Sequence, residues 1–318
     1  MAAFIVRRLL VSAIVLFGIS ILLFSLLRLM PGDPAEMLLD PFSFTGDREA
    51  ALEALRARLG LDQPLPVQYV AWISELARGN FGFSYSDGRP VLEIILGRTE
   101  ATVRLMGVAL IIALAVGITL GIIAALRRNK TGDYVISFVS LLMISIPPFF
   151  VALVAIFVFG LTLRLLPTGG MNSPGGEGFL DSLRYIALPA LILGLMYAGP
   201  YVRYARSSMI EVLGQDYMTT ARSKGLTARR VIVRHGLHNA LIPLVTVVAV
   251  QIPVMFAGAV IIEQVFSWPG IGRMALDAIL SRNYPILLGF VMIVSVLVLL
   301  CNLIADVLYA IIDPRIRL

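Results

Sequence analysis

Residues Glu211–Pro243 read EVLGQDYMTTARSKGLTARRVIVRHGLHNALIP, a basic and amphipathic island between two apolar runs. In a chain that is 58% hydrophobic, so polar an interruption must lie in water or against a partner. Asp216 is suited to cap a first short helix, in which Tyr217, Thr220 or Ala221, and Lys224 recur at helical spacing. Gly225 offers the left-handed geometry that ends it, and Thr227 then caps a second helix. Arg222 and Lys224 fall in the last turn of the first helix, where the dipole favours cations, and Arg229, Arg230 and Arg234 follow in the second. The pattern predicts a helix, a hinge and another helix outside the bilayer. Charge alone is also satisfied by a plain positive-inside loop.

Outward from the island the chain is apolar. With 14% charged residues over 318 and a mean hydropathy of +0.90, the composition excludes a water-soluble globule, whose charged fraction is about a quarter. An all-α integral membrane protein with six transmembrane helices is expected: Leu9 to Leu27, Leu105 to Leu126, Val135 to Leu161, Ile186 to Val202, Leu241 to Ile262, and Ile286 to Ile312. Each is long enough, or nearly so, to cross about 30 Å of hydrocarbon. The first run follows Arg7 and Arg8 as a secretion signal would. It is too long for one, and MPGDP after it has no small-residue cleavage site, so it reads as a retained span.

Arg7 and Arg8, then Arg127, Arg128 and Lys130, then the island, then Arg315 and Arg317 fall on one side if the spans alternate, and that side is the cytoplasm. The net charge of +6 therefore reports topology and not nucleic-acid binding. The single cysteine, Cys301, offers no internal disulfide and no thiolate metal site.

The residues suggest three divisions: 1–30 as N-terminus and first span, 31–99 as a small external helical subdomain, and 100–318 as a five-helix core with cytoplasmic helices at 209–236. Within the external subdomain a first helix starts near Asp47 and ends at Gly60, with Leu52, Leu55 and Leu59 on its apolar face. A second carries Val67, Val70, Trp72 and Ala77 and closes at Gly79. The aromatic run Asn80–Tyr85 is either an interfacial anchor or a docking surface. Gly117 and Gly121 form a small-xxx-small pair for close helix packing. Pro147 and Pro148 break the third span, and Pro189, Pro200, Pro243 and Pro253 kink the fourth and fifth. Gln251, Glu263, Asn302 and Asp306 are the polar residues in or near spans that are candidates for a pathway.

No G-x-x-x-x-G-K-[ST], H-E-x-x-H or G-x-S-x-G occurs, so no phosphate loop, zinc-protease helix or nucleophile elbow is expected. His235 and His238 are three apart without a third ligand nearby. An ATP-independent secondary transporter would show deeper charges and repeated halves. An intramembrane protease would need paired acids, or a nucleophile with its base, at membrane depth.

Several stretches resemble one family. DYMTTARSKGLTARRVIVRHGLHNALIP looks like the coupling loop of ABC importer permeases of the dipeptide, oligopeptide and nickel branch. It departs from the general pattern where Thr219, Thr220 and Ala221 replace Glu-Ala-Ala. The opening RRLLVSAIVLFGISILLFSLLRLMPGDPAEMLL, then LGLDQPLPVQY, GNFGFSYS, SIPPFF, LPTGG, LPALILGL, VFSWPGIGRMALDAILSRNYP and the final DPRIR are similar to the first of the two permeases in peptide importers. The resemblance implies a type I importer permease fold in a bacterial cytoplasmic membrane, with both termini cytoplasmic. It implies transport of dipeptides or oligopeptides, or alternatively of nickel chelates or glutathione. It also implies a second permease, an external binding protein, and two ATPases that hold ATP and Mg, with no cofactor in this chain. Asp216, Tyr217, Thr219, Thr220, Ala221, Arg222, Lys224, Gly225 and Leu226 would then couple to an ATPase.

Overall fold

The computed structural model of the chain describes residues 2–29, 35–36, 47–58, 60–176 and 178–312. The helices run α1 Ala2–Leu29, α2 Arg48–Arg58, α3 Leu65–Ala77, α4 Val91–Leu126, α5 Thr131–Ser145 and α6 Pro148–Ala155, the last continuing as a π-helical stretch Ile156–Thr162. After them come α7 Phe179–Leu213, α8 Asp216–Ser223, α9 Ala228–Arg230, a π-helical stretch Val231–Leu237, α10 His238–Val265, α11 Ile271–Leu280 and α12 Tyr284–Ile312. The MPGDP stop and the DPRIR ending lie outside the described residues.

Among the described residues five helical stretches are long and apolar enough to cross a membrane: Phe4–Leu26, Val91–Leu126, Phe179–Leu213, Ala228–Val265 and Tyr284–Val307. A sixth span exists only if α5 and the helix from Pro148 to Thr162 count as one, and these are bent by 99°. The bend falls where Pro147 and Pro148 remove consecutive backbone donors and force Ile146 into an extended conformation. Pro189 and Pro200 lie inside α7, and Pro243 and Pro253 inside α10, without ending either helix.

The chain divides into two compact units, one of Thr99–Arg273 with the chain from Leu300 on, the other of Ala2–Arg98 with Met274–Leu299. In the second unit Asp47 accepts the amides of Glu49 and Ala50 at 3.1 and 3.4 Å, capping α2, whose start the sequence placed near this residue. Helix α3 presents a different face from the one its valines indicated. Val67 and Val70 are more than half exposed, while Tyr69 and Trp72 meet Phe24 at ring distances of 5.5 and 6.0 Å. Buried Gln68 decides that orientation, since its amide donates to the Leu61 and Gln63 carbonyls at 3.1 and 2.6 Å and accepts from Arg28. The aromatic run is pinned by buried Asn283, which donates to Ser84 and Ser86, both at 2.8 Å, and accepts from the Tyr85 amide. Burial there pushes the Tyr85 phenol up from its ordinary pKa.

The first unit is built on α7. Gly117 and Gly121 of α4 face it so closely that a Cβ would stand 2.5 Å from the Tyr201 Cβ and 2.6 Å from the Ala205 Cβ. The small pair therefore packs helices, as its spacing suggests. Asp133, at the start of α5, accepts two bonds from the Arg206 guanidinium of α7, at 2.6 and 2.8 Å, and one from the Asn129 amide at 3.0 Å. Its side chain is 2% exposed and that of Arg206 31%. Asp133→Ala is expected to lower the thermal midpoint of the purified protein by the equivalent of about 3 kcal/mol, because it strands a partly buried cation. Pairing Leu at 133 with Met at 206 should restore most of the loss. A double variant no better than the single would show that the charge itself is not what costs stability.

Candidate functional site

The basic island is a docked helix followed by a second that does not end outside the apolar region. Its first helix, α8, starts one residue earlier than the cap reading placed it. Gln215 stands at the cap position with no side-chain bond, and Asp216 is the first helical residue, where its charge still suits the dipole. Thr227 occupies the next cap position, also without a side-chain bond. From Ala228 the helix runs through the π-helical stretch into α10, so 228–265 form one continuous 38-residue helical stretch. The expected separate second helix is corrected: past the two arginines of α9 the sequence is apolar at nearly every turn, with no glycine in left-handed geometry or proline before Pro243 to end it.

Side chains sort cleanly by face. Met218 and Ala221 point inward and pack with Ala125, Met209, Val212, Val231 and Ala240. Asp216, Tyr217, Thr219, Thr220, Arg222, Lys224 and Gly225 are exposed, and Leu226 is half-buried. Ala221, grouped with the coupling residues from sequence, therefore belongs to the floor beneath them. Met218 was missed, although its spacing of three from Ala221 is a readable signal. Gly236 closes the floor, since a Cβ there would meet the Met209 and Met218 methyls at 3.0 and 3.4 Å. Gly225 has φ +76° with no atom within 4 Å of an added Cβ, so backbone conformation and not space makes it glycine. The result is an exposed polar and cationic platform joined by a methionine-rich floor to the ends of α7 and α10.

The four candidate pathway residues separate. Glu263, fully buried, takes the Gly272 and Arg273 amides on one oxygen at 2.8 and 3.1 Å, and the Thr102 hydroxyl on the other at 2.5 Å. Thr102 in turn accepts the Ile271 amide at 2.9 Å. Together these satisfy the first donors of α11, a cap delivered from a distance. Trp268, also buried, gives its indole proton to the Ala101 carbonyl at 2.8 Å. Glu263 is thus committed to holding the Trp268–Gly270 turn. Asn302 is exposed. Gln251 and Asp306 share a cavity of about 340 Å³ with Tyr204 and Thr246, neither of which the sequence singled out. Among the described residues no group of three or more His, Cys, Asp or Glu is placed to hold a metal ion.

Comparison with known proteins gives matches along the whole chain. Residues 117–318 match the family described as binding-protein-dependent transport system inner membrane component, and residues 1–106 match its N-terminal counterpart. The chain is similar to the oligopeptide transport system permease protein AppB of Bacillus subtilis, at 41% identity covering 100% of both chains. It is also similar to the di/tripeptide permease DppB of Pseudomonas aeruginosa, at 39%, and to the dipeptide permease DppB of Escherichia coli, at 37%, each covering 100% of this chain and 99% of the relative. Among solved structures, a chain of the methionine ABC transporter MetNI in inward-facing conformations gives a TM-score of 0.58 at 14% identity. That match covers 70% of this chain and 97% of the other, and it concerns the fold alone.

Proposed function

Because the chain belongs to the family of binding-protein-dependent transport system inner membrane components, we propose that it is the multi-pass permease subunit of an ATP-driven importer of dipeptides or oligopeptides. One observation carries this reading, the likeness over the full length of the chain to proteins named as oligopeptide, di/tripeptide and dipeptide permeases. The platform on α8 supports it, since an exposed polar helix rooted in two long apolar helices is a physical means of passing force to them.

In this reading the chain lies in a bacterial cytoplasmic membrane with both termini in the cytoplasm. It works with a second permease, two ATPases that hold ATP and Mg, and an external binding protein. The stretch 31–99 faces the binding protein. ATP binding draws the ATPases together and displaces the platform formed by Asp216, Tyr217, Thr219, Thr220, Arg222, Lys224, Gly225 and Leu226. Met218 and Ala221 carry the displacement to α7 and α10, which turn the pathway from inward to outward facing. This chain supplies the path and the lever, and its partners supply the hydrolysis.

The test is purification of the tagged chain with its companions, followed by ATP hydrolysis and uptake in proteoliposomes. Co-purified ATPase whose turnover rises with peptide-loaded binding protein is the expected result. A chain that emerges alone and moves solute without ATP overturns the reading.

A further inference from the structure

We propose that the cavity shared by α7, α10 and α12 is a transit site that holds the ammonium group of a peptide during passage, with Asp306 as its counter-charge. The inference rests on the peptide-permease reading and adds to it a place and a chemistry.

Four polar side chains converge there from three helices: Tyr204, Thr246 and Gln251, and Asp306. Gln251 lies fourteen residues before Val265 in the continuous helical stretch that starts at Ala228, so it is roughly 20 Å from that end and farther from the other at 1.5 Å per residue. Polar groups are costly at such depth unless a neighbour, water or a passing ligand meets them. The wall is rich in acceptors. Thr246 gives its proton to the Pro243 carbonyl at 2.7 Å, leaving its lone pairs for another donor. The Asp306 carboxyl group adds acceptor oxygens, and the phenol and amide can turn either way. Asp306 also has a further interaction, and a carboxylate's two oxygens have lone pairs for more than one donor. Among the described residues no lysine or arginine lines the wall.

Such a wall recognises a compact cation with several N–H donors, and it is ill suited to a carboxylate. A peptide presents that group at its N-terminus whatever its side chains are. The remaining wall, Val247, Val250 and Ala305, is apolar and featureless, so it accepts varied residues without selecting among them. At about 340 Å³ the cavity is at the small end of the range for ligand sites, roughly 300–1,000 Å³. It suits one terminus better than a whole oligopeptide. A single charge and a few hydrogen bonds also suit passage, which requires binding weak enough to release.

The experiment uses the assembled importer in detergent, without ATP, with Cys301→Ala and Val250→Cys. Val250 lines the cavity and is well exposed, and its alkylation by N-ethylmaleimide is timed with alanyl-alanine, N-acetyl-alanyl-alanine or ammonium chloride present. Alanyl-alanine at about twice its Kd should slow the reaction about threefold, since protection follows 1 + [L]/Kd. The acetylated peptide should not, and Asp306→Asn should abolish the effect while Asp306→Glu keeps part of it. Equal protection by both peptides, or protection that survives Asp306→Asn, overturns the ammonium assignment. Protection by ammonium chloride as strong as by alanyl-alanine assigns the site to small cations and also overturns it. If no peptide protects while the same preparation, reconstituted into proteoliposomes, imports alanyl-alanine with ATP and loaded binding protein, the site falls and the peptide reading stands. If nothing is imported under those conditions, the reading falls with it.

Discussion

Glu263→Leu is expected to lower the thermal midpoint of the purified protein sharply, by the equivalent of about 3–5 kcal/mol. The size follows from how many groups one carboxylate serves. Its loss leaves the Gly272 and Arg273 amides and the Thr102 hydroxyl without an acceptor in a space closed to water, and each such group costs about 1–3 kcal/mol. Neighbours cannot fill the gap, because the chain has been thinned to make room for the carboxylate. A Cβ on Gly270 would stand 2.0 Å from the Glu263 Oε1, and one on Gly272 2.9 Å from Oε2. Glu263→Gln should cost much less. Its carbonyl can take the two amides, and its NH₂ can donate to the Thr102 oxygen, which has a second lone pair. Unfolding followed by the fluorescence of Trp268, held by the same turn, separates the cases. If the Gln variant is as unstable as the Leu variant, the charge matters and not the bonding pattern. If Leu is tolerated, the distant cap is not what holds the turn.

Why the sequence showed some of this and not the rest follows from distance along the chain. Features set by neighbouring residues were readable: the helix start at Asp47, the helix ends at Gly60 and Gly79, the left-handed Gly225, the break at Pro147–Pro148 and the close-packing pair Gly117 and Gly121. The apolar runs were readable because lipid selects them, although the helices extend past them. Val91–Leu126 is 36 residues, about 54 Å at 1.5 Å per residue, where hydropathy marked only Leu105 to Leu126. What resisted reading was which face of a short helix turns inward. Helices α3 and α8 both carry apolar residues on more than one side, and the choice is made by what they meet. Gln68 is placed by carbonyls five and seven residues away and by Arg28; Met218 is placed by Met209 and Gly236. The partners of Glu263 and the meeting of Gln251 with Asp306 span larger separations still, from Thr102 to Glu263 and from Tyr204 to Asp306, and no local pattern encodes them.

Gly225→Val is expected to cut peptide uptake by about tenfold or more while leaving the protein assembled and nearly as heat-stable as before. The residue follows the C-cap of α8 at φ +76°. There an L-residue costs about 1–2 kcal/mol, and a β-branched one more. The cost does not unfold the region, because Met218 and Ala221 anchor α8 from below, and nothing within 4 Å would clash with a Cβ. The backbone instead relaxes by rotating residues 224–226, which carry some of the exposed platform. If that platform is what an ATPase grips, a shift of its last turn weakens the grip when force must pass. Basal ATP hydrolysis should then persist while its stimulation by loaded binding protein, and uptake with it, is lost. Gly225→Asn supplies the control, since asparagine tolerates left-handed backbone far better than valine does, and it should keep most of the activity. Uptake at the normal rate in the Val variant would remove the hinge from the mechanism. Equal damage from Asn and Val would move the cause from backbone conformation to side-chain bulk at the docking face, and Gly225→Ala, strained but small, would then be the least harmful of the three.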